Sequence, residues 1–284
     1  MARYSQGRDK PLIALAEDDV HVWQADLDLP AAQVQRLERA LAPDELARAD
    51  RFRAAEVRAR FVVTRGALRD ILGRYLGLAP EQVRFGYGPA GKPLLAAEQG
   101  SREAGGRRLE FNLAHSGGVA LFAVARGRRV GVDVELIRPN VPHDRLAARF
   151  FSPQEQAQLR ALPAEAQLEA FFACWTRKEA FVKARGEGLA LGLTRFAVSV
   201  AAGGPAALLH TAFDPDEAGR WALQDLAPRP GYAAALAVEG RGWQLTCWRW
   251  PDGIEVNRPH AQFAELTTGP TRGMISPLSG ETQT

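Results

Sequence analysis

Two long helical segments, about 110 residues apart, constrain the fold of this chain more than any other feature. In residues 54–75, Phe61, Leu68 and Leu72 belong to a set of apolar side chains that recur at spacings of three and four, which is typical of an amphipathic helix. Residues 163–184 form the second segment. Because short β-type runs follow each helix, the sequence predicts an α+β fold. We expect two similar halves related by a pseudo-twofold axis, each a long helix packed on a small, mostly antiparallel sheet.

The same repeat predicts the domain organisation. Residues 1–130 form an N-terminal half, residues 131–250 a C-terminal half and residues 251–284 an extension. The extension is rich in Gly, Pro, Ser and Thr, and its end has too little apolar content to pack, so we expect it to be largely disordered. The other expected elements are strands near 20–27, 83–85, 109–113, 119–124, 130–136, 193–200, 205–211, 219–225, 232–239 and 243–249, a helical segment at 31–50 and two short helices within 142–160.

The composition indicates an ordinary globular protein. Of the 284 residues, 46% are hydrophobic, which is enough to build a sizeable core. The excess of 36 basic over 33 acidic residues is too small to indicate nucleic-acid binding. No stretch approaches the roughly 20 apolar residues of a membrane span, and charges interrupt the first apolar run, so we expect a cytoplasmic protein without a membrane or nucleic-acid partner. Cys174 and Cys247 lack the spacing of a disulfide framework or a zinc site.

Lysine is rare in this chain. Only Lys10, Lys92, Lys178 and Lys183 occur, and all other basic residues counted in the net charge are arginine. Lysine carries a compact ammonium group, which differs from a guanidinium group in geometry and in its ability to transfer a proton. Each lysine is therefore a candidate functional residue, although chance retention is a fair explanation of any single one.

The predicted strand 130–136 carries two acidic residues on one face. Alternation sends Val132 and Val134 to one side and Asp133 and Glu135 to the other. Neighbouring carboxylates repel each other unless a cation lies between them, and Mg²⁺ typically binds one or two carboxylates together with phosphate oxygens and water. A solvent-facing pair on an exposed strand is equally compatible with the alternation.

The second long helix places Trp175, Glu179 and Lys183 on one face, because helical residues four apart lie above one another. In isolation, this spacing is explained by a routine surface pair of Glu and Lys beside a core Trp. Two of the four lysines, Lys178 and Lys183, lie here, and Gly186 follows as a helix stop. This concentration of lysine favours the interpretation that this face of the helix has a function.

Two further motifs are ambiguous by themselves. In FNLAHSGG (111–118) a strand runs into a glycine turn that contains His115. A histidine at this place is a candidate to bind phosphate or to transfer protons, and the alternative is a loop residue without a function in chemistry. The segment GYGPAGK (86–92) matches a nucleotide-binding loop, but Pro93 stands where a P-loop needs Ser or Thr. No alternating strand–helix–strand pattern surrounds it, so a turn between two strands is the favoured interpretation.

Taken together and in this order, GKPLL, FNLAHSGG, GVDVELIRP, FFSPQE and WTRKEAFVKARGEGL resemble the 4′-phosphopantetheinyl transferase family, in its two-halved branch that activates surfactin synthetase. The similarity runs from about residue 44 to residue 200. It implies a monomeric enzyme that uses Mg²⁺ to transfer the 4′-phosphopantetheine group of coenzyme A to a serine of an apo acyl or peptidyl carrier protein. The second product is adenosine 3′,5′-bisphosphate.

The resemblance also implies the catalytic residues. Asp133, Glu135 and Glu179 correspond to the residues that hold Mg²⁺ on the coenzyme A pyrophosphate. Lys183 corresponds to the lysine that stabilises or protonates the leaving phosphate. Glu179 is the candidate base for the serine proton, and a metal-bound water or Glu155 is the alternative. The expected catalytic set is Asp133, Glu179 and Lys183.

By the same resemblance, coenzyme A contacts six basic residues. They are Arg48, Arg60, Arg65, Lys92, His115 and Lys183, of which the three arginines match the family only loosely. Lys178 matches the first lysine of the helix motif, and its role stays open. Ala114 stands where a phosphate-contacting serine is frequent, so one hydrogen bond is lost, although Ser116 is nearby.

Two other functions compete with this interpretation. A degenerate homologue would bind coenzyme A or carrier domains without turnover, but the retained Asp133, Glu135, Glu179 and Lys183 argue against it. A nucleotide-dependent transferase built on the loop 86–92 is the enzyme alternative. The carrier protein belongs to fatty acid, polyketide or nonribosomal peptide synthesis, and the WxxKEA form favours secondary metabolism.

Overall fold

The structure, a computed structural model, describes residues 12–88, 91–100 and 107–255. Its helices are α1 (Ala31–Glu38), α2 (Pro43–Ala49), α3 (Ala55–Leu76), α4 (Ala97–Gly100), α5 (His143–Phe150), α6 (Pro153–Ala161), α7 (Ala164–Arg185) and α8 (Glu217–Arg220). Its strands are β1 (Asp19–Asp26), β2 (Phe85–Tyr87), β3 (Pro93–Leu95), β4 (Leu109–Ser116), β5 (Val119–Arg126), β6 (Val130–Leu136), β7 (Phe196–Val198), β8 (Leu208–Thr211), β9 (Trp221–Leu226), β10 (Tyr232–Glu239), β11 (Gln244–Arg249) and β12 (Ile254–Glu255). Most of the predicted extension lies outside the described residues, so its disorder stays a prediction.

The two predicted long helices are confirmed as α3 and α7, which contain 22 residues each. Both end at a glycine in the left-handed region, Gly77 with φ 64° and Gly186 with φ 76°, where a residue with a Cβ atom would be strained. Residues 31–50, predicted as one helical segment, form the two helices α1 and α2. Pro43 begins the second of them, since proline fits the first turn of a helix but interrupts its interior.

The strands form two main sheets, with the orders β12-β11-β1-β5-β4 and β6-β10-β9. Every neighbouring pair in them is antiparallel except β1 and β11, which are parallel. Two small hairpins, β2-β3 and β7-β8, complete the described strands. The predicted α+β fold with mostly antiparallel sheets is therefore confirmed.

Each sheet uses its two faces differently. In the first sheet Trp23 and Phe122 pack beneath α3, while the alternate residues Val22 and Leu121 point the other way. The second sheet does the same, with one face under α7, and its other face meets the first sheet at residues such as Leu236. The result is a four-layer stack of helix, sheet, sheet and helix, with one apolar core under each long helix and a third between the two sheets.

The strand β11 belongs to the first sheet, although it lies far from the other main strands of that sheet in the sequence. Its residues pair with β1 in parallel register, with Trp248 opposite Trp23. The indole of Trp250 then donates a 2.8 Å hydrogen bond to Asp70 of α3. By pairing, this strand belongs to the first sheet, although the sequence-based division places it in the C-terminal half. The domain boundaries stay a prediction. Within the described residues, no helix has both the length and the apolar character to cross a membrane.

The contact of β6 with α7 depends on the missing side chain of Gly131. A Cβ atom at this position would lie 2.1 Å from the carbonyl oxygen of Ala180 and 2.4 Å from the amide nitrogen of Ala184. Both atoms belong to the backbone of α7, which cannot yield as a flexible side chain does. Glycine therefore allows the helix to lie directly on the strand.

We predict that Gly131→Ala lowers the free energy of unfolding by about 2 kcal/mol or more, because α7 must move away from β6. Urea denaturation followed by circular dichroism measures this change. Gly219→Ala in α8 is the matched control, since no atom lies within 4 Å of its added Cβ. A loss at Gly131 no larger than that at Gly219 would contradict the argument.

Candidate active site

A cleft of about 800 Å³ lies between residues of α3, the end of β4 and the last turns of α7. All six basic residues predicted to bind coenzyme A line it, together with Glu179 of α7. Residues from both halves of the chain therefore contribute to one site. The other lining residues include Phe52, Val57, Phe61, Thr64, Tyr87, Asn112, Leu113, Ala114, Ser116 and Val182.

The two acidic residues of β6 lie on the face away from Val132 and Val134, as the alternation predicted, and Asp133 on this face contacts Lys183 of α7. Val132 and Val134 lie in the core between the sheets, on the opposite face. Asp133 is 4% exposed, and its Oδ1 accepts a 2.5 Å hydrogen bond from Nζ of Lys183. A pair of carboxylates that simply faces solvent is therefore excluded.

The three carboxylates of the site share a negative potential. Burial raises the pKa of Asp133 to about 7, against the lowering effect of Lys183, and the charges of Glu135 and Glu179 raise it further. Burial also raises the pKa of Glu179, where Lys183 again opposes the shift and Glu135 adds to it. Without a second cation, the single ammonium group of Lys183 only partly balances this cluster.

The residues present fit a hard cation. The second carboxylate oxygen of Asp133, Oδ2, is buried and has no hydrogen-bond partner in the described structure. Carboxylate oxygens are the ligands that Mg²⁺ prefers. Among residues 12–88, 91–100 and 107–255, no three His, Cys, Asp or Glu side chains lie close enough together to hold a metal ion as they stand. The ligand role of Asp133, Glu135 and Glu179 therefore stays a prediction, which the unpartnered oxygen supports.

Side chains of β4 hold the acidic strand in place. The side-chain oxygen of Asn112 accepts a 2.9 Å hydrogen bond from the amide of Val132. The hydroxyl of Ser116 accepts a 3.1 Å hydrogen bond from the amide of Leu136 and donates a 2.7 Å bond to Oε2 of Glu135. Between them Ala114 is 5% exposed and packs in the core between the sheets.

His115 points to the opposite side of β4 and is exposed in the cleft. Partial desolvation lowers its pKa, and the positive charges of Lys183 and Arg48 lower it further, against the effect of Glu135. The lowered pKa favours the neutral imidazole in the free protein. A bound anion would favour its protonated form.

Two of the three predicted arginines are accessible. Arg48 is exposed and lies over the ring of Phe61, 5.5 Å from its centroid. Arg60 forms ion pairs with Asp28 at 2.7 Å and Glu56 at 2.6 Å, both of which are exposed. Exposed pairs of this kind are weak, so Arg60 can exchange them for an anionic ligand.

Arg65, which the resemblance assigns to coenzyme A binding, is largely buried in an ion pair. It is 8% exposed and pairs with the buried Glu45, whose other oxygen binds Arg69 at 2.6 Å. Two guanidinium groups on one carboxylate leave a net positive charge beside the cleft. The structure thus gives Arg65 a packing role, and its predicted contact with coenzyme A stays untested.

Lys92 connects the loop 86–92 to the end of α7. Its Nζ donates a 3.0 Å hydrogen bond to the carbonyl oxygen of Lys183. Burial lowers the pKa of Lys92, an effect that Glu110 opposes and Arg129 increases. The strand β3 begins at Pro93 and pairs with β2, so the loop is a hairpin turn, apart from residues 89 and 90, which are not described. The P-loop interpretation is wrong, because a strand follows where a helix is needed.

Glu155 lies outside the cleft and is excluded as the catalytic base. Both of its oxygens lie 2.7 Å from Nζ of Lys178, and both residues are 0% exposed in their side chains. The amides of Ser152 and Val198 donate to the same two oxygens, at 2.7 and 2.8 Å. Lys178 also donates to the carbonyl oxygen of Phe196 at 2.8 Å. This pair anchors α7 to α6 and β7.

Sequence reasoning missed the roles of three residues. Asn112 and Ser116 lie within the motif FNLAHSGG, but their bonds to β6 depend on strands that are not neighbours in the sequence. Glu45 binds two arginines that follow it on α3, and no local pattern marks it. Its position three residues after Ala42, whose amide it accepts at 2.9 Å, is the one available signal.

Comparison with known proteins gave several matches. Residues 129–237 match the model of the 4′-phosphopantetheinyl transferase superfamily, and residues 29–126 match the model described as 4′-phosphopantetheinyl transferase, N-terminal. The chain is 44% identical to the 4′-phosphopantetheinyl transferase HetI of Nostoc sp. over 84% of this chain and 96% of that protein. It is 31% identical to a 4′-phosphopantetheinyl transferase of Bacillus subtilis over 61% of this chain and 72% of that protein.

A more distant likeness links the chain to a solved structure. The holo-[acyl-carrier-protein] synthase of Thermotoga maritima is 24% identical, with a TM-score of 0.32, over 40% of this chain and 63% of that one. A likeness of this size does not by itself establish a shared overall fold.

We predict that Lys178→Met lowers the free energy of unfolding by about 3–5 kcal/mol, because it leaves the charge of Glu155 buried without its cation. Chemical denaturation measures the loss. Arg107→Ala, which removes an exposed ion pair with Glu17, should change stability by less than about 1 kcal/mol. Equal effects of the two substitutions would show that Lys178 does not anchor α7.

Proposed function

The chain belongs to the 4′-phosphopantetheinyl transferase superfamily, and we propose that it transfers the 4′-phosphopantetheine group of coenzyme A to a serine of an apo acyl or peptidyl carrier protein in a reaction that requires Mg²⁺. The observation that carries the proposal is that one cleft brings six basic side chains beside Glu179, and that one of the six, Lys183, also binds Asp133. Anion-binding groups and proton-transfer groups are thereby brought together.

The basic lining suits the phosphates of coenzyme A. Arg48 and Arg60 are accessible, and His115 is exposed in the cleft. Nζ of Lys183 binds Asp133, and Nζ of Lys92 lies 3.0 Å from the carbonyl oxygen of Lys183, so both lysines that line the cleft are near the end of α7. Guanidinium and ammonium groups bind phosphate through charge-assisted hydrogen bonds. We assign the 3′-phosphate to His115 and the arginines, and the pyrophosphate to the two lysines.

Asp133, Glu135 and Glu179 would hold the magnesium ion. When bound, Mg²⁺ supplies charge neutralisation to the pyrophosphate of the substrate. The unpartnered Oδ2 of Asp133 supports this assignment, since a buried carboxylate oxygen without a partner is costly. In the described structure Lys183 already binds the other oxygen of Asp133, at 2.5 Å.

The proposed transfer forms one bond and breaks one. The serine oxygen of the carrier protein attacks the β-phosphorus of coenzyme A, and the bond between this phosphorus and the bridging oxygen breaks. The leaving group is adenosine 3′,5′-bisphosphate. Glu179, directly or through a metal-bound water, accepts the serine proton, because it lines the cleft beside the basic groups that bind the phosphates. Lys183 stabilises or protonates the oxygen that leaves.

The retained acid–base groups disfavour binding without turnover. A protein that only bound coenzyme A would have no need for a buried aspartate paired to Lys183 beside a second carboxylate with a raised pKa. The partner is a carrier protein, and we infer that the chain acts on it as a monomer, since both halves of the cleft come from one chain.

We predict that the purified protein adds the mass of one phosphopantetheine group to an apo carrier protein when coenzyme A and Mg²⁺ are present. Intact mass spectrometry of a panel of apo acyl and peptidyl carrier proteins measures the product. Chelation of divalent metal should abolish the reaction, and added Mg²⁺ should restore it. No adduct on any carrier protein of the panel would refute the proposed activity.

We predict that Glu179→Gln and Lys183→Met each lower kcat by at least about 100-fold, because each removes a proton-transfer or charge-stabilising group. The rate of carrier modification measures kcat at saturating coenzyme A. Glu169→Gln, an exposed position on the same helix, is the control and should leave kcat unchanged. Near-normal rates in both Glu179→Gln and Lys183→Met would remove these residues from the mechanism.

A further inference from the structure

Two side chains of β4 replace backbone pairing where this strand runs beside β6. The two strands belong to different sheets and are not hydrogen-bonded neighbours in either. Asn112 instead accepts the amide of Val132, and Ser116 accepts the amide of Leu136. The four-residue step from Asn112 to Ser116 equals the step from Val132 to Leu136, so the two bonds define a parallel register. Between these two bonds lie the residues that carry the carboxylates.

Ser116 makes a second bond that reaches a carboxylate directly. Its hydroxyl donates to Oε2 of Glu135 at 2.7 Å. In the described part of the chain Glu135 accepts no other side-chain hydrogen bond, so its Oε1 is available to a ligand. A carboxylate whose one oxygen is fixed by a hydrogen bond presents the other in a defined direction.

The hydroxyl of Ser116 has no proton left for a phosphate. A serine hydroxyl has one donor and two acceptor positions. The donor is used by Glu135, and one acceptor is used by the amide of Leu136. A phosphate oxygen needs a donor, which Ser116 can offer only by releasing Glu135. The geometry therefore argues against a phosphate contact, which the sequence left open for this residue.

We propose that Ser116 is a positioning residue, which orients Glu135 as a metal ligand and does not bind coenzyme A. The inference rests on the proposed role of Glu135 in holding Mg²⁺. Hydrogen bonds from such outer partners typically change metal affinity by about 10- to 100-fold. The expected effect of Ser116 is thus on the metal and not on the organic substrate.

The test compares Ser116→Ala with a matched serine elsewhere. Ser199 likewise accepts a backbone amide, that of Ala207 at 3.0 Å, and donates to the carbonyl oxygen of Pro205 at 2.9 Å. It also accepts a 3.2 Å hydrogen bond from the guanidinium group of Arg177. It does not line the cleft. Ser199→Ala therefore removes one hydrogen bond more than Ser116→Ala, which makes it a stringent control for a general loss of stability. Thermal unfolding confirms that both variants are folded.

Binding of Mn²⁺ in the presence of coenzyme A and the absence of carrier protein is followed by electron paramagnetic resonance. We expect Ser116→Ala to raise the dissociation constant of Mn²⁺ at least about tenfold, and Ser199→Ala to leave it unchanged. At saturating metal, the KM for coenzyme A should stay within about twofold of the wild-type value in both variants. Ser116→Thr keeps the hydroxyl and should restore most of the metal affinity.

The opposite pattern overturns the inference. If Ser116→Ala raises the KM for coenzyme A and leaves the metal constant unchanged, Ser116 is a substrate contact. Equal changes of the metal constant in Ser116→Ala and Ser199→Ala would show a general loss of stability and no positioning role. If the wild-type protein itself binds no Mn²⁺, the metal site of the proposed function is refuted. The experiment therefore distinguishes a failure of the proposed function from a failure of the role proposed for Ser116.

Discussion

The close contact of β6 with α7 at Gly131 is the constraint on which the site depends. The two helix residues that touch Gly131, Ala180 and Ala184, each follow directly after a functional side chain, Glu179 and Lys183. The absence of a side chain on the strand therefore sets how near the helix carboxylate and ammonium groups come to Asp133. The 2.5 Å bond between Lys183 and Asp133 is possible because the backbones are this close.

Neighbouring residues of α7 serve different purposes because a helix turns by about 100° per residue. Lys178 points into the protein, where Glu155 and a carbonyl oxygen satisfy its ammonium group. Glu179, the next residue, lines the cleft. A fixed helix is a condition for a precise site, so the buried ion pair supports the catalytic face without taking part in it.

Local patterns were sufficient to predict much of this fold. The spacing of apolar residues gave α3 and α7, and alternation correctly placed Asp133 and Glu135 on the face away from Val132 and Val134. Family resemblance supplied the six basic residues, and the structure places them all in one cleft. The charged groups that form this site differ enough from core residues to be visible in the sequence.

Long-range contacts were not predictable in the same way. Glu155 was a candidate base because its motif is recognisable, but its burial depends on Lys178 and β7, which lie 23 or more residues further along the chain. The break between α1 and α2 is marked in the sequence by Pro43, which begins the second helix. The bonds of Asn112 and Ser116 to β6 depend on where the two sheets meet. This position cannot be predicted from the pattern of residues within one strand.

The parallel pairing of β11 with β1 has a consequence for synthesis of the chain on the ribosome. The edge of β1 that faces β11 has its partner only after residue 249 has been made, more than 200 residues after β1 itself. Trp250, which contacts α3 through Asp70, arrives equally late. A nascent first half therefore carries an unpaired strand edge, the kind of surface that chaperones protect from aggregation. The first sheet is therefore complete only when residues from both predicted halves of the chain have been synthesised.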